Sequence, residues 1–428
     1  MRKRMVLSGL CLLMGLTACA QGSDIQSGEP QAIVDKLKLP KVKELSAEER
    51  KEVLTKIDTG MVEAQNDFGL RLHQALANNP EYKSDNLIIS PYSVTQALAL
   101  AYNGTAGGTA AEMSDVLGWK GMNVADINDG NRQLRSLLEN GGGVVLNVAN
   151  SVWHQPGLEM KKTYLQAVKD SYRAEVKEAD LMHADAMDAI NQWVNDKTSG
   201  MIPSIYDKPP GGVAVLINAI YFNGGWMDEF DPAKTVDEEF TLSDGTTQKI
   251  PMMKREGQYS YKEGESWQAI RIPYGDGRMH MLVVLPKESS SMDELQQQLW
   301  KDASFWKGDF PHETIQLGLP KFKVEQTFEL PRALQSLGMI QAFDRDAADF
   351  SAMAADGEKF WIDKVKHKTV VDVSEKGTEA AAITAVGVET GAVQPTEPIV
   401  MNVDRPFFFA IEDRDTGTWL FMGSVLKP

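Results

Sequence analysis

Apart from Cys11 and Cys19 the chain contains no cysteine. Residues 20–428 therefore hold no disulfide, no cysteine-based zinc site and no thiolate nucleophile. The catalytic signatures that a sequence can carry are missing too: there is no G-x-S-x-G, no H-E-x-x-H and no Walker sequence. The six histidines are scattered, and His312-Glu313 lacks the second half of a zinc motif. The glycines at 104–108 and 141–143 lack the spacing of a phosphate cradle. These absences speak against an enzyme and imply no metal and no cofactor. A formal charge of −16 without any basic stripe repels phosphate backbones, which argues against a nucleic-acid partner. What remains is 428 residues with 43% apolar and 24% charged side chains, enough to bury a sizeable core without covalent staples.

The N-terminus reads as an address. Arg2-Lys3-Arg4 precedes an apolar run from Met5 to Leu16, and Thr17-Ala18 precedes Cys19. A basic start, a short apolar run and small residues before a cut form a secretory signal. The run is shorter than the roughly 20 apolar residues that span a bilayer. Leu16-Thr17-Ala18-Cys19 resembles the lipobox of bacterial lipoproteins. That resemblance implies removal of residues 1–18, acylation of Cys19, and an exported chain held on a membrane at its periplasmic or cell-surface face. Residues 19–60 then form a tether, flexible at Gln21-Gly22-Ser23-Asp24 and Ser27-Gly28-Glu29-Pro30. Ser46-Ala47-Glu48-Glu49 fits a capping box, so a short helix is expected from about Ala47.

Residues 61–428 show no internal repeat and no Pro-rich or Gly-rich divider, and read as one large domain. Phe68, Leu72, Ala75 and Leu76 recur at helical spacing, as do Val94, Ala97, Leu98 and Ala101 after Ser90-Pro91. Met187, Ile190, Trp193 and Val194 mark a helix that stops near Gly200. Val213–Phe222 is an almost unbroken apolar run and predicts a buried central strand. Further strands are predicted at His280–Leu285, Ile315–Val324, Ile399–Val403, Phe407–Ile411 and Trp419–Leu426. Helices first and strands mostly later, without strict alternation, give an α+β class.

Between Val365 and Val373 a mainly apolar set, Val365, His367, Thr369, Val371 and Val373, alternates with Lys366, Lys368, Val370 and Asp372. That is a strand with His367 on its inner face, a core histidine that needs partners. The stretch that follows has a double character. Thr378, Ala380, Ala382, Thr384, Val386 and Val388 form an uncharged face of small or β-branched residues, while Glu379 and Glu389 lie on the other. Gly387, Gly391 and Pro395 are loop features. The segment suits a loop or a strand, and its alanines also admit a short helix or a linker.

Glu375-Lys376-Gly377-Thr378-Glu379-Ala380-Ala381-Ala382 resembles the inhibitory hinge of the serpins, the serine protease inhibitor superfamily. Asn86–Ser93 resembles the start of that family's second helix, and Leu216–Trp226 its third strand of the large sheet. Asp404-Arg405-Pro406-Phe407-Phe408-Phe409 and Phe421-Met422-Gly423 resemble its C-terminal signature. The resemblance covers nearly the whole domain. It implies an α+β serpin fold: helices first, a large mixed β-sheet, two smaller sheets, and an exposed reactive-centre loop at about 375–403.

The activity it implies is suicide inhibition of proteases. A protease cuts the loop, the acyl-enzyme forms, and the freed loop inserts as a central strand and distorts the trapped enzyme. Glu375, Gly377, Thr378, Glu379, Ala380, Ala381 and Ala382 would form the hinge. Ser90, Ser93, Asn218 and His367 would form the shutter beneath the point where the sheet opens, and Trp226 with Glu375 the upper breach. Counting forward from Glu375 by the family's hinge length sets the reactive bond at Gly391–Ala392, flanked by Thr390 and Val393. Counting back from Pro406 sets it nearer Pro395; the forward count is preferred because hinge length fixes how far the protease is carried. The bait, Val388-Glu389-Thr390-Gly391-Ala392-Val393, lacks basic and aromatic residues. It suits elastase-like or subtilisin-like proteases of small apolar specificity, with papain-like proteases or a Glu-specific cut after Glu389 as alternatives. A monomer is expected. The rival within the fold is a non-inhibitory surface binding protein, whose mark would be a bulky or charged hinge residue.

Overall fold

Capping residues set where several helices begin. In the computed structural model, which describes residues 45–139, 142–304, 307–354, 359–378 and 397–428, Ser46 opens α1 (Ala47–Leu54) with the expected capping box. Its Oγ accepts from the Glu49 N–H at 3.2 Å, and the Glu49 carboxylate accepts from the Ser46 N–H at 2.8 Å. After α2 (Thr59–Ala77) and β1 (Leu87–Ile89), Ser90 caps α3 (Pro91–Tyr102), with Pro91 at the first helical position where its missing N–H costs nothing. Then come α4 (Gly107–Leu117), α5 (Val124–Leu138), β2 (Val144–His154), α6 (Lys162–Tyr172), β3 (Glu175–Glu178), α7 (Ala184–Lys197) and β4 (Ala214–Gly225). Strands dominate thereafter: β5 (Val236–Thr241), β6 (Thr247–Glu263), β7 (Trp267–Tyr274) and β8 (Met279–Pro286), then α8 (Met292–Lys301), β9 (His312–Pro320), β10 (Phe322–Glu329) and α9 (Pro331–Ser336). The chain ends on β11 (Lys366–Ser374), β12 (Gly377–Thr378), β13 (Ile399–Asn402), β14 (Phe407–Asp413) and β15 (Thr418–Val425).

The ladders form two sheets. A nine-stranded sheet runs β1-β15-β14-β8-β7-β6-β9-β13, with β5 beside β6; a six-stranded sheet runs β10-β11-β12-β4-β2-β3. Where two smaller sheets are implied by the family resemblance, the described residues form one continuous ladder. The reason is β6, which pairs with β5 and β9 along its first part and with β7 at its end. The sheet that receives the hinge is the six-stranded one.

Alternation along the strands builds the layers. Phe407, Phe409 and Ile411 of β14 point into the core between the sheets, where Val144, Leu146, Ile220, Phe222, Val371 and Val373 meet them. Phe408 and Ala410 point the other way, into the core beneath α2 and α3. The outer face of β2 and β4 is covered by α7 through Ile190, Trp193 and Val194 against Trp153, Ile217 and Ala219. One expected strand needs correction. Ile315–Val324 is two strands in different sheets, because Pro320 has no N–H for the ladder and the next N–H, of Lys321, turns to the Pro251 carbonyl at 2.9 Å.

Candidate functional site

β11 and β4 are the walls of a slot in the six-stranded sheet. Each is fully laddered on its far side, β11 to β10 and β4 to β2. Towards each other, the described residues pair only through β12. Gly377 and Thr378 lie antiparallel to both walls, with Thr378 opposite Val373 and Gly224, and Gly377 opposite Ser374 and Gly225. Gly377 must be glycine here: its φ is +139°, and a Cβ would come within 2.1 Å of the Gly224 carbonyl oxygen.

The top of the slot is a polar and aromatic seat. The indole of Trp226 stacks on Tyr274 at 4.4 Å and donates its N–H to the Ser374 carbonyl at 2.9 Å. The buried Tyr274 hydroxyl shares a 2.6 Å hydrogen bond with Thr378 Oγ1, and Thr378 is 3% exposed. Backbone N–H groups of Trp226 and Phe230 donate to the carbonyls of Lys376 and Glu375, both at 2.9 Å. The Glu375 carboxylate accepts from Lys321 Nζ at 2.9 Å and from Thr235 Oγ1 at 3.1 Å. Burial raises its pKa, but the Lys321 and Thr235 hydrogen bonds outweigh burial and hold it below the usual glutamate value.

A second polar cluster sits lower, at the first turn of α3. Ser90 Oγ accepts from the Ser93 N–H at 3.1 Å and donates to the Leu420 carbonyl at 2.5 Å. The Ser90 N–H donates to His367 Nε2 at 3.0 Å, so that nitrogen must be unprotonated and the imidazole neutral. Burial without a charged partner drives the His367 pKa down to about 4. Ser93 Oγ donates to Asn218 Oδ1, Asn218 Nδ2 to Asn150 Oδ1 at 2.7 Å, and Asn150 Nδ2 to the Tyr172 carbonyl at 2.9 Å. On the other wall, Thr369 Oγ1 donates to the Ile88 carbonyl at 2.8 Å. The helix start thus grips β4 through Ser93 and β11 through Ser90. A cavity of about 230 Å³ opens beside Ser93, Asn218 and His367 and runs along Leu216 and Val365.

A family model described as "Serpin (serine protease inhibitor)" matches residues 63–428. The chain belongs to the serpin family. It is 36% identical over 380 residues to a serpin-like protein of Thermococcus kodakarensis, covering 86% of each chain. It is 32% identical over 387 residues to the leukocyte elastase inhibitor of Equus caballus, covering 85% of this chain and 98% of that one. Among solved structures, the thermophilic serpin tengpin in its native state matches with a TM-score of 0.77 at 31% identity, covering 94% of this chain and 100% of that one.

In this serpin the four expected shutter residues, Ser90, Ser93, Asn218 and His367, surround one helix start, and Trp226, Glu375, Gly377 and Thr378 share the upper seat. Glu379 to Ala382, the expected reactive bond Gly391–Ala392 with Thr390 and Val393, and Cys19 lie outside the described residues. Sequence reasoning missed Tyr274, Lys321, Thr235, Asn150 and Thr369. Thr369 was legible as an inward position two residues after His367, but no local signal tells which carbonyl its hydroxyl meets.

Proposed function

We propose that this serpin is a suicide-substrate inhibitor of proteases, and the observation that carries the proposal is the seated hinge. Gly377 and Thr378 are already the first residues of a strand flanked on both sides. After cleavage, carrying the register onward would bring Ala380 between Phe222 and Val371, Ala382 between Ile220 and Thr369, and Thr384 between Asn218 and His367. Those inward residues are small and uncharged, as a strand entering between two others requires. The added strand gains hydrogen bonds on both sides, its residues bonding alternately to one wall and the other. At about 1 kcal/mol net per bond, a dozen residues yield on the order of 10 kcal/mol. The shutter bonds are exchangeable: a hydroxyl at position 384 could replace the contacts that Asn218 and His367 give up as the walls part.

The bait residues Thr390, Gly391, Ala392 and Val393 suit an elastase-like or subtilisin-like enzyme, and the horse relative is by its name an inhibitor of leukocyte elastase. The lipobox-like Leu16–Cys19 supports an exported protein displayed on a membrane through a lipid on Cys19.

The test mixes the purified protein with a neutrophil-type elastase and reads a denaturing gel and mass spectrometry. Covalent trapping gives a denaturant-stable complex at the summed mass and releases a C-terminal peptide beginning at Ala392. Cleavage without complex, with no rise in melting temperature of the cut protein, overturns inhibition and leaves a binding protein. Cleavage without complex but with a large rise means that insertion works and the bait prefers another protease.

A further inference from the structure

Only one of the two ring nitrogens of His367 has a partner among the described residues. Nε2 accepts from the Ser90 N–H at 3.0 Å, so in this neutral imidazole the hydrogen is carried by Nδ1. No described group accepts that hydrogen, although the residue is only 6% exposed. A buried donor left without an acceptor forfeits the hydrogen bonds it would make in water. His367 also lines the cavity of about 230 Å³ beside the slot, and with Nε2 committed to Ser90 the Nδ1–H is the polar edge left for that space.

Most of the cavity lining is apolar. Val94, Ala97 and Leu98 come from one face of α3, Leu216 from β4, Val365 from just ahead of β11, and Phe360 from the segment before it. Lys364 and Lys366 line it too, but their ammonium groups are engaged, with the Pro210 carbonyl at 3.1 Å and with Glu329 at 3.4 Å. Gly211 and Gly212 also border it, and a Cβ at either would meet nothing within 4 Å, which leaves a way in from solvent. An apolar cavity of about 150 Å³ takes a benzene ring, so this one has room for a ring with a short chain. One unmet N–H calls for one acceptor, and with both lysines engaged that acceptor needs no charge. We propose that the cavity is a binding site for a small apolar carbonyl compound, an aryl ketone or ester, whose oxygen accepts from His367 Nδ1–H while its hydrocarbon lies against Leu98, Leu216 and Val365. The site stands without the inhibitor reading. On that reading ligand and loop exclude one another, because the register carried onward from Thr378 would bring Val386 between Leu216 and Val365.

The experiment titrates the full uncut chain with butyrophenone and with butylbenzene, which has the same shape and no acceptor. Calorimetry gives the affinities, and the imidazole resonances of the ¹⁵N-histidine-labelled protein report on Nδ1–H. The ketone should bind about tenfold more tightly than the hydrocarbon and shift the His367 Nδ1–H signal, which the hydrocarbon leaves in place. Ala97→Leu, which fills the cavity from α3, should weaken the ketone about tenfold or more. Equal affinities, no binding of either compound, or binding without the imidazole shift leaves a gap for water and overturns the site. The titration is repeated on protein cut in its loop. Cut protein that has gained stability should no longer bind; if it still does, the ketone sits elsewhere and the site is overturned. Cut protein that gains no stability and keeps binding overturns the inhibitor reading and leaves the site in place.

Discussion

In the nine-stranded sheet β14 is hydrogen-bonded along both edges, to β8 and to β15, and every residue from Phe407 to Asp413 is buried. In the six-stranded sheet β4 and β11 meet, among the described residues, only through Gly377 and Thr378, and the contact is lined by glycine, hydroxyl, amide and imidazole groups. One sheet is welded by apolar packing, which has no cheap alternative arrangement. In the other, the contact between β4 and β11 is held by hydrogen bonds of a kind that a new strand can replace. On the proposed mechanism, apolar packing is concentrated where nothing has to move, and polar side chains stand where the walls would part.

Four changes would break or sharpen that contrast. The largest effect is expected from Thr378→Arg, which forces a charge into the seat beside Tyr274. Several kcal/mol of burial cost should turn the proposed inhibitor into a substrate, with the ratio of cleaved to trapped product rising about tenfold or more. Its readout is the gel described for elastase, and unchanged trapping would mean the hinge need not enter there. Next is Phe409→Ala in the welded sheet, where Phe409 is fully buried against Phe322. About 3–5 kcal/mol should be lost, equally from uncut and cut protein in denaturant titrations, because this core serves both states.

The third is pH. His367 has a folded pKa of about 4 and an unfolded value of 6.5, so the unfolded chain binds the extra proton between those values. The His367 contribution should be level above about pH 6.5 and fall by about 3 kcal/mol as pH drops to 4. His73 and His280, lowered by burial to about 3 and about 4, add losses of the same sign, so His367→Gln should flatten only part of the curve. The smallest effect belongs to Tyr274→Phe. Removing the hydroxyl strips a buried partner from Thr378 at about 1 kcal/mol, and amide exchange of Thr378 should quicken about fivefold while the welded sheet is unaffected.

Much of the contrast was legible along the chain. The capping box at Ser46 and the Ser90-Pro91 start are signals carried by neighbouring residues, and both appear where expected. The alternation from Val365 to Val373 foretold an inner face with His367 and Thr369, and both are buried there, with Lys366 and Lys368 half-buried on the other face. The split of Ile315–Val324 was missed although Pro320 was visible, because a run of apolar residues reads the same in one strand or two. Tyr274, Lys321 and Thr235 gave no sign of serving the hinge: they come from three different segments, and only folding brings them to residues 375–378.

What the sequence determined by itself is local: where helices start, which side of each strand faces inward, and that the inward positions of the hinge, Thr378, Ala380 and Ala382, carry nothing too large or charged to enter a sheet. These follow from dihedral preference, side-chain period and size, which act between residues a few positions apart. Tertiary structure alone decided that β4 and β11 stand as neighbours around β12, that the Ser90 N–H fixes the state of an imidazole 277 positions away, and that Arg50 reaches a carboxylate 365 positions on. Such contacts form only after the chain has met the entropy cost of closing long loops, and that cost is met by the whole core rather than by any motif.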